Sequence, residues 1–254
     1  MPFTISHAVL APIIHKVSQK KLPISAIAIG CMVPDLVRLF TNDHRDLTHK
    51  WTALIYPNLM IGLAFCLIWY FILRPTFFRF CGISNPTYVT NIRSFSVFSC
   101  LVILSVLIGI STHIIWDGLT HLDHRTFVFK DFLGQSVTIL GESYPVHLTL
   151  QIGTSILALP IIGWMAMNYY QSYQSNESIP RSVKIYAISL IFLSLSAGIY
   201  GYIYFAAPFN FEPWNDLYAY TGTAINYFFR GFLLILLIGC LFFQILEQID
   251  AFEK

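Results

Sequence analysis

The chain has 254 residues, of which 56% are hydrophobic, 16% aromatic and only 11% charged. A soluble domain carries about 25% charged and roughly 45–50% apolar residues, so 15 basic and 13 acidic side chains do not cover a globule of this size. Collagen-like, disordered and disulfide-scaffold classes fail on the same composition, and a net charge of +2 makes no case for nucleic acid; what remains is an all-α integral membrane protein.

The first fifty residues come before any run long enough to span. Met1–Lys21 is amphipathic with Pro12 inside it, and the apolar stretch Leu22–Val33 is too short to cross. Its lysines (Lys16, Lys20, Lys21) follow the first apolar stretch, which is the wrong order for a secretory signal. This segment is expected to form one or two short helices at the interface or packed on the bundle.

Long stretches without Asp, Glu, Lys or Arg then follow: Trp51–Leu73, Ser94–Trp116, Ser143–Asn176 and Ile185–Phe211. A fifth, Gly231–Leu246, is extended backwards by Tyr227, Phe228 and Phe229, with Arg230 able to snorkel. About 20 apolar residues cross a ~30 Å hydrocarbon core, so five transmembrane helices are predicted near 51–73, 94–116, 148–170, 185–207 and 228–247. The polar loops between them are Arg74–Arg93, Gly118–His147, Gln171–Lys184 and Pro208–Tyr227. Residues 1–254 read as a single membrane domain, with 1–50 as its N-terminal segment and 51–254 as the bundle. Cys31, Cys66, Cys81, Cys100 and Cys240 are scattered and make no C-x-x-C pair, so they read as small apolar residues.

Five crossings put the N-terminal segment, the 118–147 loop and the 208–227 loop on one face. All eight histidines fall on that face or at its helix ends: His7, His15, His44, His49, His113, His121, His124 and His147. The interhelical loops of the other face hold Arg74, Arg79, Arg93, Arg181 and Lys184, which puts the histidine face outside the cytoplasm. Six cations of the N-terminal segment pull the other way, and the reading leans to a non-cytoplasmic site in the cell (inner) membrane.

The strongest local signal is Thr112-His113-Ile114-Ile115-Trp116-Asp117-Gly118-Leu119-Thr120-His121. His113, Asp117 and His121 recur every fourth residue and so share a helix face. Two imidazoles and a carboxylate at that depth are costly unless paired or metal-bound; a His–Asp hydrogen bond that fixes helix packing is the alternative. A second cluster, Asp43-His44-Arg45-Asp46-Leu47-Thr48-His49, precedes the first membrane helix, and Asp46 is placed to orient an imidazole. Asp35 after Pro34 reads alone as a helix N-cap or boundary charge, and His7 alone as a surface residue. Together, His7, Asp35, His44, His49, His113, Asp117 and His121 supply imidazole and carboxylate ligands from three chain segments. Such cysteine-free sets suit zinc, in one or two ions, with manganese or iron as alternatives. There is no G-x-S-x-G elbow, P-loop or dinucleotide fingerprint.

Met1-Pro2-Phe3-Thr4-Ile5-Ser6-His7, Gly30-x-x-x-Pro34-Asp35, His44-Arg45-x-x-Thr48-His49 and His113-x-x-x-Asp117 resemble the bacterial membrane-bound metal-dependent hydrolases. More closely, the chain resembles a sister family of multi-pass membrane proteins without an assigned function, which share the Met-Pro-Phe-Thr-x-Ser-His start and Thr-His-x-x-Trp-Asp-x-x-Thr-His. The order of the N-terminal motifs is also similar to zinc-dependent phospholipase C, an all-α phosphodiesterase. The resemblance covers residues 1–121 and implies metal ligation by His7, Asp35, His49, His113 and Asp117, with His44 and His121 as further candidates. Lys50 stands where the hydrolases have a serine, and the soluble phospholipase's His-x-x-x-Glu pair is missing; His147 and Glu142 lie in the right loop at another spacing.

The leading expectation is a membrane-embedded metal-dependent hydrolase of a phosphoester on a lipid or amphiphile, with Asp117 and Arg45 as catalytic candidates, Arg45 pairing with a phosphate oxygen. Its partners are then the lipid bilayer and a lipid or phosphoester substrate. The alternatives are a structural or assembly protein whose polar cluster fixes packing, and a metal transporter. Against transport, the last three predicted helices carry almost no ionisable residue.

Overall fold

The computed structural model of the protein describes residues 4–41, 47–85, 89–206 and 217–252. A 3-10 segment, Thr4–Leu10, leads into helix α1 (Ala11–Val17), followed by α2 (Ile24–Leu36). Then come α3 (Trp51–Cys81) and α4 (Ile92–Thr120), a single turn at Lys130–Leu133, and a hairpin of β1 (Ser136–Ile139) and β2 (Glu142–Pro145). Helices α5 (Val146–Tyr173), α6 (Arg181–Gly201, running on as a wider turn to Ala206) and α7 (Leu217–Gln248) complete the chain. Helices α3 to α7 are the five elements long and apolar enough to cross a membrane. The all-α membrane architecture and its five spans are thus as expected.

The expected bounds need correction where capping decides them. α3 runs past Leu73 to Cys81, shortening the expected 74–93 loop. It stops only where Gly82 takes φ +62° and the Ile83 amide donates to the Phe78 carbonyl at 2.8 Å. α4 starts at Ile92 rather than 94 because Asn91 and Ser94 form a reciprocal capping box. α7 begins at Leu217, well before 228; its early turns carry Thr221, Thr223 and Asn226, which a search for apolar runs reads as loop. The hairpin was not anticipated within the polar 118–147 loop. Its two turn residues, Leu140 (φ 53°) and Gly141 (φ 89°), both have positive φ, the signature of a type I′ turn.

Two compact units emerge, one from the described residues within 1–37, 43–66 and 86–169, the other from those within 38–42, 67–85 and 170–254. In the first, α2 lies directly on α4. A β-carbon on Gly30 would come 2.5 Å from the Val106 carbonyl oxygen, and one on Gly109 2.5 Å from that of Ile27. Only glycines permit this backbone approach. Ile27, Cys31, Val33, Val106 and Ile110 fill the seam. Around it, Ser6 Oγ donates to the Ser155 carbonyl (3.2 Å), and Gln151 Nε2 to that of Thr120 (3.0 Å).

In the second unit α6 and α7 pack equally closely, with Gly231 against the Ala197 carbonyl and Gly239 against the Leu190 side chain. Thr76 and Gln244 hydrogen-bond here (3.3 Å), and Tyr186 donates to the Gly239 carbonyl at 2.9 Å.

Candidate metal centre

The α2/α4 contact places polar groups from four chain segments at one point in the first unit. His113 and Asp117 are one helical turn apart on α4. Asp35 lies in the last turn of α2, so it is not the N-cap that its sequence context allowed. His7 comes from the 3-10 segment Thr4–Leu10, and His49 from the 3-10 turn Leu47–His49. All five side chains are buried.

Two overlapping groups have ligand atoms within 4.8 Å of one another: His7, Asp35 and His113, and His49, His113 and Asp117. His113 Nε2 lies 3.4 Å from Asp117 Oδ2, and His49 Nε2 lies 3.5 Å from the same oxygen. His49 Nε2 is also 3.3 Å from Asp35 Oδ1, while His7 Nε2 is 3.9 Å from Asp117 Oδ1. The His7 and His113 rings stack, with centroids 3.8 Å apart and planes 19° apart.

Tautomers decide what these distances mean. His113 Nδ1 donates to the Cys31 carbonyl at 2.7 Å, because a carbonyl only accepts. In the neutral ring Nε2 therefore carries the lone pair, and it faces the carboxylates. His49 differs: its Nε2 meets Asp35 Oδ1 at 3.3 Å, and a carboxylate only accepts, so Nε2 is the donor of that bond. The Thr48 hydroxyl donates to the Pro34 carbonyl (2.8 Å), and its oxygen lies 3.4 Å from His49 Nδ1. Asn58, itself buried, holds this turn by donating to the Thr48 carbonyl at 2.7 Å. Burial pushes His7 well below the usual histidine range.

His7 Nε2 and His113 Nε2 are both buried without a hydrogen-bond partner among the described residues. Buried nitrogens of this kind beside two carboxylates are costly unless a proton or a metal cation is shared among them. Ligand atoms each about 2.0–2.1 Å from a tetrahedral zinc stand roughly 3.3–3.4 Å apart, close to the 3.3, 3.4 and 3.5 Å separations here. The residues present fit a divalent ion.

His121 is placed differently from the other candidates. It follows the last residue of α4, and its Nδ1 turns back to the Asp117 carbonyl (3.2 Å) and Oδ1 (3.5 Å). It joins neither ligand group and instead holds Asp117 in place. Burial is the main force that lowers it to about 4; Asp117 opposes this and Arg125 adds to it. His44 and Arg45, with Asp46, lie outside the described residues. His15 and His147 contact the Leu22 and Leu133 carbonyls, and His124 is exposed beside Asp123.

Sequence reasoning missed Arg125, counting it only as a loop charge. Its Nη1 donates to Asp117 Oδ2 at 3.3 Å, while its Nε contacts both Asp123 oxygens at 3.0 Å. Burial works against the charged form of Asp123, but the hydrogen bonds and charge of Arg125 outweigh it and hold the carboxyl at about 2. The available signal was Arg125's position just beyond the His113–Asp117–His121 series.

The family profile described as Domain of unknown function (DUF4184) matches residues 1–242. The chain belongs to this family. No curated protein and no solved structure matches it. The family match spans every member of the cluster, four of the five apolar helices in full and the fifth as far as residue 242, in keeping with the expected multi-pass family without an assigned function.

Proposed function

We propose that this protein is a membrane-embedded metal-dependent hydrolase acting on a phosphoester carried by a lipid or amphiphile. The observation that carries the reading is the pair of buried, unpartnered imidazole nitrogens, His7 Nε2 and His113 Nε2, beside the Asp35 and Asp117 carboxylates. The motif resemblance to membrane-bound metal-dependent hydrolases points the same way. His7, Asp35, His49, His113 and Asp117 would hold the ion. A divalent ion, zinc before manganese or iron, supplies a Lewis acid that lowers the pKa of water towards about 7 and offsets charge developing on a phosphoryl oxygen.

The chain's own groups account for the rest. Both ligand groups use His113, whose other nitrogen is committed to Cys31. One lone pair binds one ion, so the geometry favours a single ion per chain over two. Arg125, a planar donor already touching Asp117, is placed to turn a guanidinium edge towards a phosphoryl oxygen. His121 positions Asp117 from the opposite oxygen to Arg125. The loop arginines favour a site on the non-cytoplasmic side of the cell membrane.

Metal analysis of the purified protein tests the proposal. One ion per chain is expected, lost in His113→Ala and Asp117→Ala together with hydrolysis of a phosphoester. If the wild type holds no metal and neither variant alters activity, the reading is overturned and a packing role for the cluster takes its place. Ion flux into liposomes without hydrolysis would instead establish transport.

A further inference from the structure

The segment joining α4 to α5 carries an exposed apolar surface. The strand register pairs Val137 with Tyr144 and Ile139 with Glu142, so Val137, Ile139 and Tyr144 share one face of the hairpin, with the Glu142 carboxylate at its edge beside the turn. Ser136, Thr138 and Ser143 share the other. Both strands are exposed along nearly their whole length, and Phe129 and Phe132 just before them are 65% and 52% exposed.

Leu140 sharpens the point. It occupies the first turn position at φ 53°, where Asn, Asp or Gly is favoured and a leucine is sterically disfavoured. At 101% relative exposure it makes no contact that accounts for its presence. A two-stranded hairpin with an uncovered apolar face is marginal in water, so this one is built for an apolar surrounding. Its ends supply that surrounding: the segment leaves α4 at Thr120 and enters α5 at Val146, both of them ends of apolar spans.

We infer that the hairpin dips Val137, Ile139, Leu140 and Tyr144 into the head-group and acyl boundary of the bilayer, on the segment that follows Asp117 of the candidate metal centre. The occupant of the apolar face is the lipid bilayer, continuous with the surface that already surrounds α4 and α5. The same segment is rooted in the cluster. His121 and Arg125 contact Asp117, and the Phe127 amide donates to the Gly118 carbonyl at 3.4 Å. The Phe127 ring lies against Gly118 so closely that a β-carbon there would clash. A loop fixed at one end to the site and at the other in the lipid interface presents the site to bilayer-resident phosphoesters. This substrate preference rests on the hydrolase reading; the membrane placement of the hairpin does not.

The test attaches an environment-sensitive fluorophore at Leu140→Cys after the exposed Cys81 and Cys100 are changed to serine. The full-length protein is reconstituted into phosphatidylcholine vesicles, with a label at Glu177→Cys as the aqueous reference. The expected result is blue-shifted emission at position 140, quenching by acyl-chain nitroxide lipids, and protection from iodide present on both sides of the bilayer. Iodide quenching equal to the reference overturns the inference. So does protection from iodide without nitroxide quenching, which points to a second copy of the chain. In a second arm, Leu140→Asp should slow hydrolysis of phosphatidic acid in vesicles at least about tenfold, as loss of a leucyl contact with the acyl boundary implies. Hydrolysis of soluble p-nitrophenyl phosphate and the metal content should stay unchanged. Equal loss on both substrates overturns the delivery role. A wild type without metal overturns the hydrolase reading alone, because the quenching result is independent of it.

Discussion

The two units pack their helices alike and both use donor-to-carbonyl contacts, but only the first gathers buried imidazoles and carboxylates at one point among its described residues. In the α6/α7 unit, donors meet main-chain carbonyls: Thr76 on Ile72, Tyr186 on Gly239, Gln244 on Phe71 and Ile72, and Arg230 on Arg38 and Thr41. In the α2/α4 unit, ring nitrogens of His7, His49 and His113 converge on the carboxylates of Asp35 and Asp117. Donor to carbonyl is a complete interaction that fastens helices together. A buried cluster of imidazoles and carboxylates is complete only when a proton or a metal cation lies between the facing groups. The number of buried polar residues therefore says little; the chemistry of the groups that converge separates a packing contact from a candidate site.

The largest effect should come from the glycine seams. Gly109→Ala puts a β-carbon 2.5 Å from the Ile27 carbonyl, 2.6 Å from the Cys31 amide and 2.8 Å from the Gly30 carbonyl carbon. All three are backbone atoms, so α2 and α4 must separate, and the Cys31 carbonyl then leaves His113. Gly231→Ala makes a comparable clash with the Ala197 carbonyl in the other unit. Each change should cost about 1–3 kcal/mol or more through overpacking, read as a lower thermal midpoint in detergent. Only Gly109→Ala should also strip the metal from the protein that remains folded. Metal loss in both variants, or in neither, would break the distinction between the units.

How much of this was legible in the sequence depends on the kind of interaction. The spans were, because hydropathy and length act locally along the chain. His113, Asp117 and His121 were found by helical period, but period alone could not show that His121 turns its Nδ1 back onto Asp117. That follows from α4 ending at Thr120. The convergence of His7 and Asp35 on His113 depends on Gly30 and Gly109 letting two backbones meet, a contact between residues far apart in sequence. Leu140 in the hairpin turn was hidden for another reason: the I′ turn chemistry usually signalled by Asn-Gly is here Leu140-Gly141.

A smaller and sharper test compares two buried threonines. Thr48→Val keeps the shape of the side chain but removes the hydroxyl oxygen that lies 3.4 Å from His49 Nδ1 and the proton given to Pro34. His49 then keeps Asp35 on Nε2 but loses its Nδ1 contact with Thr48, and groups that orient metal-bound histidines are typically worth about 10–100-fold in metal affinity. Competition with a chromophoric chelator should show a loss in that range. Thr76→Val is the matching change in the second unit, removing a hydroxyl that donates to Ile72 and accepts from Gln244. Interhelical hydrogen bonds inside membranes average about 0.6 kcal/mol, so its thermal midpoint should fall slightly while metal affinity stays unchanged. The contrast turns on what each hydroxyl serves. Thr48 steadies an imidazole of the cluster, and Thr76 holds a helix to its neighbour. Equal and small effects on metal affinity from both would mean that His49 is oriented by its carboxylate neighbours alone.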